Sequence, residues 1–202
     1  MTGIDRLVYL FAMGTLNTPD LLIDAMSACL QEHGYRSTST TQILAKANVS
    51  RGSLYFHFPG GKEALAAAAV QASGKRISDW IAAEFVSGPD SVAAISRLVD
   101  GFTAALGGSQ FTKGCPVALS ALEAGEQEPA LQAAIRAVYE DWQRAIGDGL
   151  TGRGMEFGDA QRLAHLALIQ IEGALLLARA TKSLTPLQLT KMSLVEAIGE
   201  RS

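Results

Sequence analysis

Residues 34–65, GYRSTSTTQILAKANVSRGSLYFHFPGGKEAL, constrain the fold more tightly than any other stretch of the chain. Ile43, Leu44 and Ala47 recur at helical spacing, which predicts a helix over about 40–47. Thr40 or Ser39 can cap it, because a side-chain hydroxyl accepts from the free N–H groups of a first helical turn. Asn48 stands at the exit, and Asn tolerates the left-handed conformation that ends a helix sharply. Val49 anchors the turn, Ser50 is a second N-cap, and 51–58 forms about two turns of a second helix. Two helices joined by so short a turn have helix-turn-helix geometry.

The second of these helices divides its residues by face. Leu54 and Phe58, four apart, point to a small core. Arg51, Gly52, Ser53, Tyr55, Phe56 and His57 are left facing outward. Gly is poor in a helix interior, by about 1 kcal/mol relative to Ala, but in a first turn it lets another backbone approach. Adjacent exposed Tyr, Phe and His suit the thymine methyls, sugars and phosphates of a duplex better than bulk water. The same stretch resembles the TetR family of transcriptional repressors. The residues that carry the likeness are Gly34-Tyr35, Thr38-Ser39, Ile43, Ala47, Val49-Ser50, Gly52-Ser53-Leu54-Tyr55, His57-Phe58 and Lys62-Glu63-Ala64-Leu65. The resemblance implies DNA contacts at Thr40, Thr41, Arg51, Gly52, Ser53, Tyr55, Phe56, His57 and Lys62. Three positions depart from the family pattern: Asn48 replaces a turn Gly, Thr41 stands where Arg is frequent, and Phe56 stands where His is frequent. The last two bear on base preference.

Composition is consistent with this reading but does not demand it. The chain has 202 residues, 48% of them hydrophobic, enough for one or two domains with a real core. Apolar residues recur at helical spacing and no alternating strand pattern is bounded by hairpin turns, so the fold class is all-α. The net charge of −3 is unusual for a nucleic-acid partner. Residues 1–62 carry five basic and four acidic side chains, leaving the negative balance in the remainder. Few phosphate contacts per subunit and a modest salt dependence follow. Cys29 and Cys115 lie far apart in no ligand spacing and read as buried free thiols of a reducing, cytoplasmic compartment.

In chain order, residues 1–16 read as a disordered or loosely docked extension. Leu7 to Met13 is too short an apolar run to span a membrane, and no basic start or cleavage site makes it a signal peptide. Thr18-Pro19-Asp20 starts a helix, with Thr18 as cap and Pro19 in the first position, ending near Gly34. The DNA-binding domain is therefore placed at 17–63. Pro59-Gly60-Gly61 breaks the chain before a long helix from Lys62 to about Val86. A lysine at that positive helix end is explained if it meets a phosphate.

Residues 64–202 read as a ligand-binding and dimerisation domain of further helices. The segment GCPVALSALEAGEQEPAL resembles the ligand domain of the LmrA/YxaF-type branch of the family. Val117, Leu119 and Leu122 give its short helix an apolar side. Glu123, Glu126 and Glu128 read as a solvated acidic turn, since no metal-ligand spacing accompanies them. The stretch 157–181 is the most apolar helix, interrupted by His165, Gln170 and Glu172, which argues against a membrane span. Ser183 to Pro186 punctuates the chain before a last amphipathic helix over 187–198. In the family the last two large helices pair with their copies, and Gly173 with Ala174 would allow close approach. Trp80, Phe102, Tyr139, Trp142, His165 and Gln170 combine large apolar faces with polar groups and are the candidate walls of an effector pocket.

The reading as a whole is a homodimeric repressor that binds palindromic operator DNA and releases it when a small molecule binds. No cofactor, metal site, catalytic set or membrane partner is implied. An enzyme lacks a candidate mechanism, there being no Ser/His/Asp set, phosphate loop or His/Glu metal motif. A helical scaffold without DNA recognition is the alternative, kept open by the acidic balance and the missing basic N-terminal arm.

Overall fold

A computed structural model describes residues 17–199, so the N-terminal extension expected over 1–16 lies outside the described residues. Among the described residues all regular structure is helical. In order the helices are α1 (Thr18–His33), α2 (Thr40–Ala47), α3 (Arg51–His57), α4 (Gly61–Ser87), α5 (Ser91–Gly108), α6 (Pro116–Ala121), α7 (Pro129–Thr151), α8 (Phe157–Thr181) and α9 (Thr185–Gly199). They fall into two compact units. One holds 17–74 together with Cys115–Val138; the other holds Lys75–Gly114 together with 139–199.

In the first unit α1 packs on α2, α3 and α6. Leu22, Met26 and Leu30 form the fully buried stripe of α1, joined in the core by Ile43 of α2, Leu54 of α3 and Leu65 of α4. Each such aliphatic side chain contributes about 1.5–3 kcal/mol on burial. Cys29 is buried here too, and desolvation pushes its thiol pKa up, so it stays protonated and inert at neutral pH. The start of α1 differs from the sequence expectation. Its N-cap is Asn17, whose side chain accepts from the Asp20 N–H at 3.1 Å, and Thr18 is already helical. Asn caps as well as a hydroxyl does, and Pro19 in the second position still lacks only an N–H that no carbonyl would accept.

In the second unit α9 lies against both α5 and α8. Ile95, Leu98 and Val99 of α5, Leu163, Ala167 and Ile171 of α8, and Leu187, Leu194 and Ile198 of α9 are buried. Asp90 caps α5 by accepting from the Ala93 N–H at 2.7 Å. Arg153 donates to the carbonyls of Phe85, Gly88 and Pro89. It thereby supplies the positive charge that the last turn of α4 lacks. Pro186 sits inside the first turn of α9 rather than in a preceding break, because α9 starts at Thr185. Leu122 is exposed rather than part of an apolar side of α6, because two residues on from buried Ser120 a helix turns to its opposite face. Helix α8 is long and apolar enough to cross a membrane by length and composition alone, but its inner face packs within a bundle of helices.

Candidate nucleic-acid interface

The interface is built from local capping chemistry. Ser39 closes a capping box on α2: its hydroxyl accepts from the Gln42 N–H at 3.2 Å, and the Gln42 side-chain oxygen accepts from the Ser39 N–H at 2.8 Å. At the other end Asn48 adopts φ 54° and ψ 45°, the left-handed exit expected of it. The Val49 N–H reaches the Leu44 carbonyl at 3.2 Å, which satisfies one of the end carbonyls of α2. Ser50 then caps α3, accepting from the Ser53 N–H at 3.2 Å, and its hydroxyl lies 3.0 Å from that of Ser53. Each cap stabilises its helix by about 1 kcal/mol. Short helices of eight and seven residues need that support, because they are marginal alone.

These caps fix the rotation of α3. Leu54 is fully buried and Phe58 half-buried, while Tyr55 is 45% and Phe56 80% exposed. Arg51 and Gly52 are exposed, and Ser53 and His57 partly so. The Arg51 guanidinium lies 6.0 Å from the Tyr55 ring centre, and Phe56 meets His57 edge-on at 4.9 Å. Thr41 at the start of α2 is exposed and Thr40 half-buried. Thr41, Leu44, Asn48 and Ser50 line a shallow depression beside α3. Gly61 takes φ +65°, a conformation few other residues adopt, and its N–H bonds the Phe58 carbonyl at 2.8 Å. A side chain at Gly61 would lie 3.4 Å from the Tyr55 ring, so the start of α4 is beside α3.

Lys62 is half-buried, with its ammonium 4.2 Å from the centre of the Tyr35 ring. Desolvation lowers its pKa, and the carboxylates of Glu123 and Glu128 oppose that shift. The sequence does not point to this arrangement, nor to the contact that holds the turn before α2. The Arg36 N–H donates to the Glu123 carboxylate at 2.6 Å, and the Arg36 Nε donates to the Glu123 carbonyl at 3.0 Å. Glu128 accepts from the Gly125 N–H at 2.8 Å and Glu63 from the Ala130 N–H at 2.8 Å. Two of the three glutamates expected to be merely solvated, Glu123 and Glu128, therefore accept from backbone N–H groups. Gly34 lies at φ 76° and ψ −177°, a region essentially closed to other residues, and a Cβ there would lie 2.8 Å from the Glu123 carboxylate oxygens.

The effector candidates all lie in the second unit. Trp80 meets Phe102 edge-on at 5.1 Å and donates its indole N–H to Glu84 at 3.0 Å. Tyr139 meets Trp142 in the same way at 5.7 Å. His165 is exposed, its Nδ1 2.9 Å from the Gln161 carbonyl, and Gln170 is half-buried. A groove of about 490 Å³ in this unit is lined instead by Phe85, Val86, Asp141, Arg144, Asp148 and Arg153 among others, and by none of the six candidates.

Two family models match the chain. Residues 22–69 match the bacterial regulatory proteins of the tetR family, and 91–192 match the C-terminal domain of the LmrA/YxaF-like transcriptional regulators. This chain belongs to the TetR family. It is 30% identical to the HTH-type transcriptional regulator LmrA of Bacillus subtilis, over 82% of this chain and 88% of that protein. It is also 30% identical to an uncharacterized HTH-type transcriptional regulator of Mycobacterium tuberculosis, over 86% of this chain and 90% of the relative. A TetR regulator structure from Legionella pneumophila superposes with a TM-score of 0.80 at 22% identity, covering 91% of this chain and 98% of that one. The TetR regulator CifR, solved in complex with 26-base-pair operator DNA, superposes at 0.72 and 20% identity, covering 93% and 98%. The protein is thus a DNA-binding transcriptional regulator of a family of regulators rather than enzymes, with an N-terminal helix-turn-helix and a LmrA/YxaF-like C-terminal region.

Proposed function

We propose that this TetR regulator is a cytoplasmic homodimeric repressor that holds a palindromic operator and lets it go when a small molecule binds. The observation that carries the reading is the exposed, capped face of α3, with Tyr55 and Phe56 presented beside Arg51, Ser53 and His57. Phe56 and Tyr55 suit sugars and thymine methyls, Arg51 and Ser53 suit base edges or phosphates, and Thr40, Thr41, Gly52 and Lys62 complete the contact set. CifR, of the same fold, was captured on operator DNA, which supports the assignment by analogy. Residues 17–63 would carry DNA contact and 64–202 effector binding and pairing, although 115–138 clusters with the former.

Pairing is supported by a second surface. Leu166, Ile169 and Leu176 recur at steps of three and seven along α8, with Gly173 between them and nothing within 4 Å of the position its Cβ would take. Ile169 is 67% exposed, and Leu189 and Met192 of α9 are exposed as well. An aliphatic seam with a small central residue accepts a second helix at close range. Two copies would read half-sites about 34–36 Å apart. The effector would occupy the helical C-terminal region, where Trp80, Phe102, Tyr139, Trp142, His165 and Gln170 remain the proposed walls. It releases DNA only by binding the DNA-incompetent form more tightly.

A fluorescence-anisotropy titration on duplexes tiled from the DNA upstream of the protein's own gene tests the reading. One tile should bind in a salt-sensitive, sequence-dependent manner, and a small molecule that raises the melting temperature of the free protein should release it. Equal binding to all tiles would remove the repressor reading.

A further inference from the structure

Lys62 stands where a helix N-terminus disfavours a cation, since the free N–H groups of the first turn carry partial positive charge. Within α4 the first turn carries Glu63, and the carboxylates of Glu123 and Glu128 favour the charged lysine. A further contact comes from the turn after α1, where Tyr35 is buried and turns its ring face to the ammonium at 4.2 Å. A ring face attracts a cation through its quadrupole, most strongly where water is partly excluded. The ring accepts no conventional hydrogen bond, so the three ammonium donors keep their capacity for an oxygen acceptor.

The ring is itself rigidly placed. Gly34 beside it is in a glycine-only conformation, and the Thr38 hydroxyl donates to the Gly34 carbonyl at 2.6 Å. The Arg36 N–H and Nε are both held by Glu123. The residue before Lys62, Gly61, borders Tyr55 on α3. The Tyr35 ring therefore faces a cation that stands one residue on from the glycine bordering α3. A lysine on a flexible four-carbon stem surrenders rotamer freedom when fixed, so a prepositioned one binds more tightly than a free one.

We infer that Tyr35 is a positioning residue for DNA binding: its ring face presets the Lys62 ammonium, beside the N–H groups of the first turn of α4, for one backbone phosphate of the duplex. The inference rests on the proposed DNA-contact role of Lys62. It gives the buried aromatic of the turn a task besides filling the core.

The test is a double-mutant cycle read by anisotropy on the upstream tile that the wild type binds, across a salt series. Lys62→Gln should weaken binding about tenfold and lower the salt slope by about one per subunit, the signature of one lost phosphate contact. Tyr35→Leu should weaken binding three- to tenfold with Lys62 present and by less than twofold in the Lys62→Gln background. Tyr35→Phe, which keeps the ring, should bind like wild type. Should the Leu variant not fold, phenylalanines of increasing ring fluorination at position 35 should lower affinity stepwise at constant shape, because fluorine drains the ring face. Equal losses from Tyr35→Leu in both backgrounds, a flat fluorination series, or full affinity in Lys62→Gln would overturn the inference while leaving the repressor reading intact. Absence of tile preference in the wild type would instead remove that reading and the inference with it.

Discussion

Two faces of this molecule expose large apolar side chains, and their chemistry differs. On α3, Tyr55 and Phe56 stand among Arg51, Ser53 and His57, so every apolar surface has a hydrogen-bonding or charged neighbour. On α8, Ile169, Leu176 and Leu177 are aliphatic and flank an exposed Gly173. The first face fits a partner that alternates methyl groups, sugars and phosphates; the second fits another apolar helix. Exposure alone does not identify a partner. The composition around the exposed residue does.

The largest effect is expected on the α8 side. Ile169→Lys places a charge in the centre of the aliphatic seam without disturbing the core of its own subunit. Light scattering behind a sizing column should report a folded monomer, and affinity for the operator tile should fall by a hundredfold or more. Linking two readers raises avidity by about 10² to 10⁴, which the monomer forfeits. A dimer that survives the lysine would place the pairing surface elsewhere. On the α3 side, Tyr55→Ala or His57→Ala should lower operator affinity roughly ten- to a hundredfold, at 1–3 kcal/mol per contact, while the dimer persists on the same column. Loss of the dimer in those variants would merge the two faces into one.

The two regions also differ in how far they are legible in the sequence. Ser39, Asn48 and Ser50 act on groups three or four residues away, so the capping of α2 and α3 can be read from the chain itself. The rotation of α3 follows from Leu54 alone being fully buried among its seven residues. The family motif resolves the rest of that stretch. The Arg36–Glu123 contact spans 87 positions, and no local pattern announces it. Glu123 sits in a run of acidic residues that looks solvated until the turn it closes is seen. The cap of α1 lies one residue before Thr18 because Asn17 and Thr18 can both cap a helix and only geometry chooses. Candidate pocket walls chosen by composition, such as Trp80 and Trp142, pack on neighbouring rings, and a pattern of apolar spacing does not distinguish a wall from a core.

Smaller effects sharpen the same contrast. Gly34→Ala forces a side chain into a glycine-only conformation and against Glu123, which should destabilise the first unit by about 1–3 kcal/mol in urea unfolding. No change in the midpoint would mean the turn relaxes freely. The smallest effect is alkaline. Burial raises the pKa of Cys29 above its ordinary 9.0 and of Tyr35 above 10.0. The unfolded chain therefore loses these protons first, so stability falls as pH rises through about 9 for Cys29 and about 10 for Tyr35. Lys62, whose pKa is lowered from 10.5, acts in the opposite sense over its own window. A Cys29→Ala, Tyr35→Phe variant should lose less stability than wild type between pH 8 and 10.5, by denaturant titration; an equal loss would show the two groups do not titrate as their burial implies.

Two copies of α3 entering one duplex can be counted. Sedimentation of the protein with a fluorescent operator tile, monitored through the dye, counts them directly. An even number of chains should sit on the tile, in complexes that dissolve as salt is raised and do not form with Tyr55→Ala at the same concentration. A single chain per tile, or complexes indifferent to Tyr55, would contradict entry by two copies.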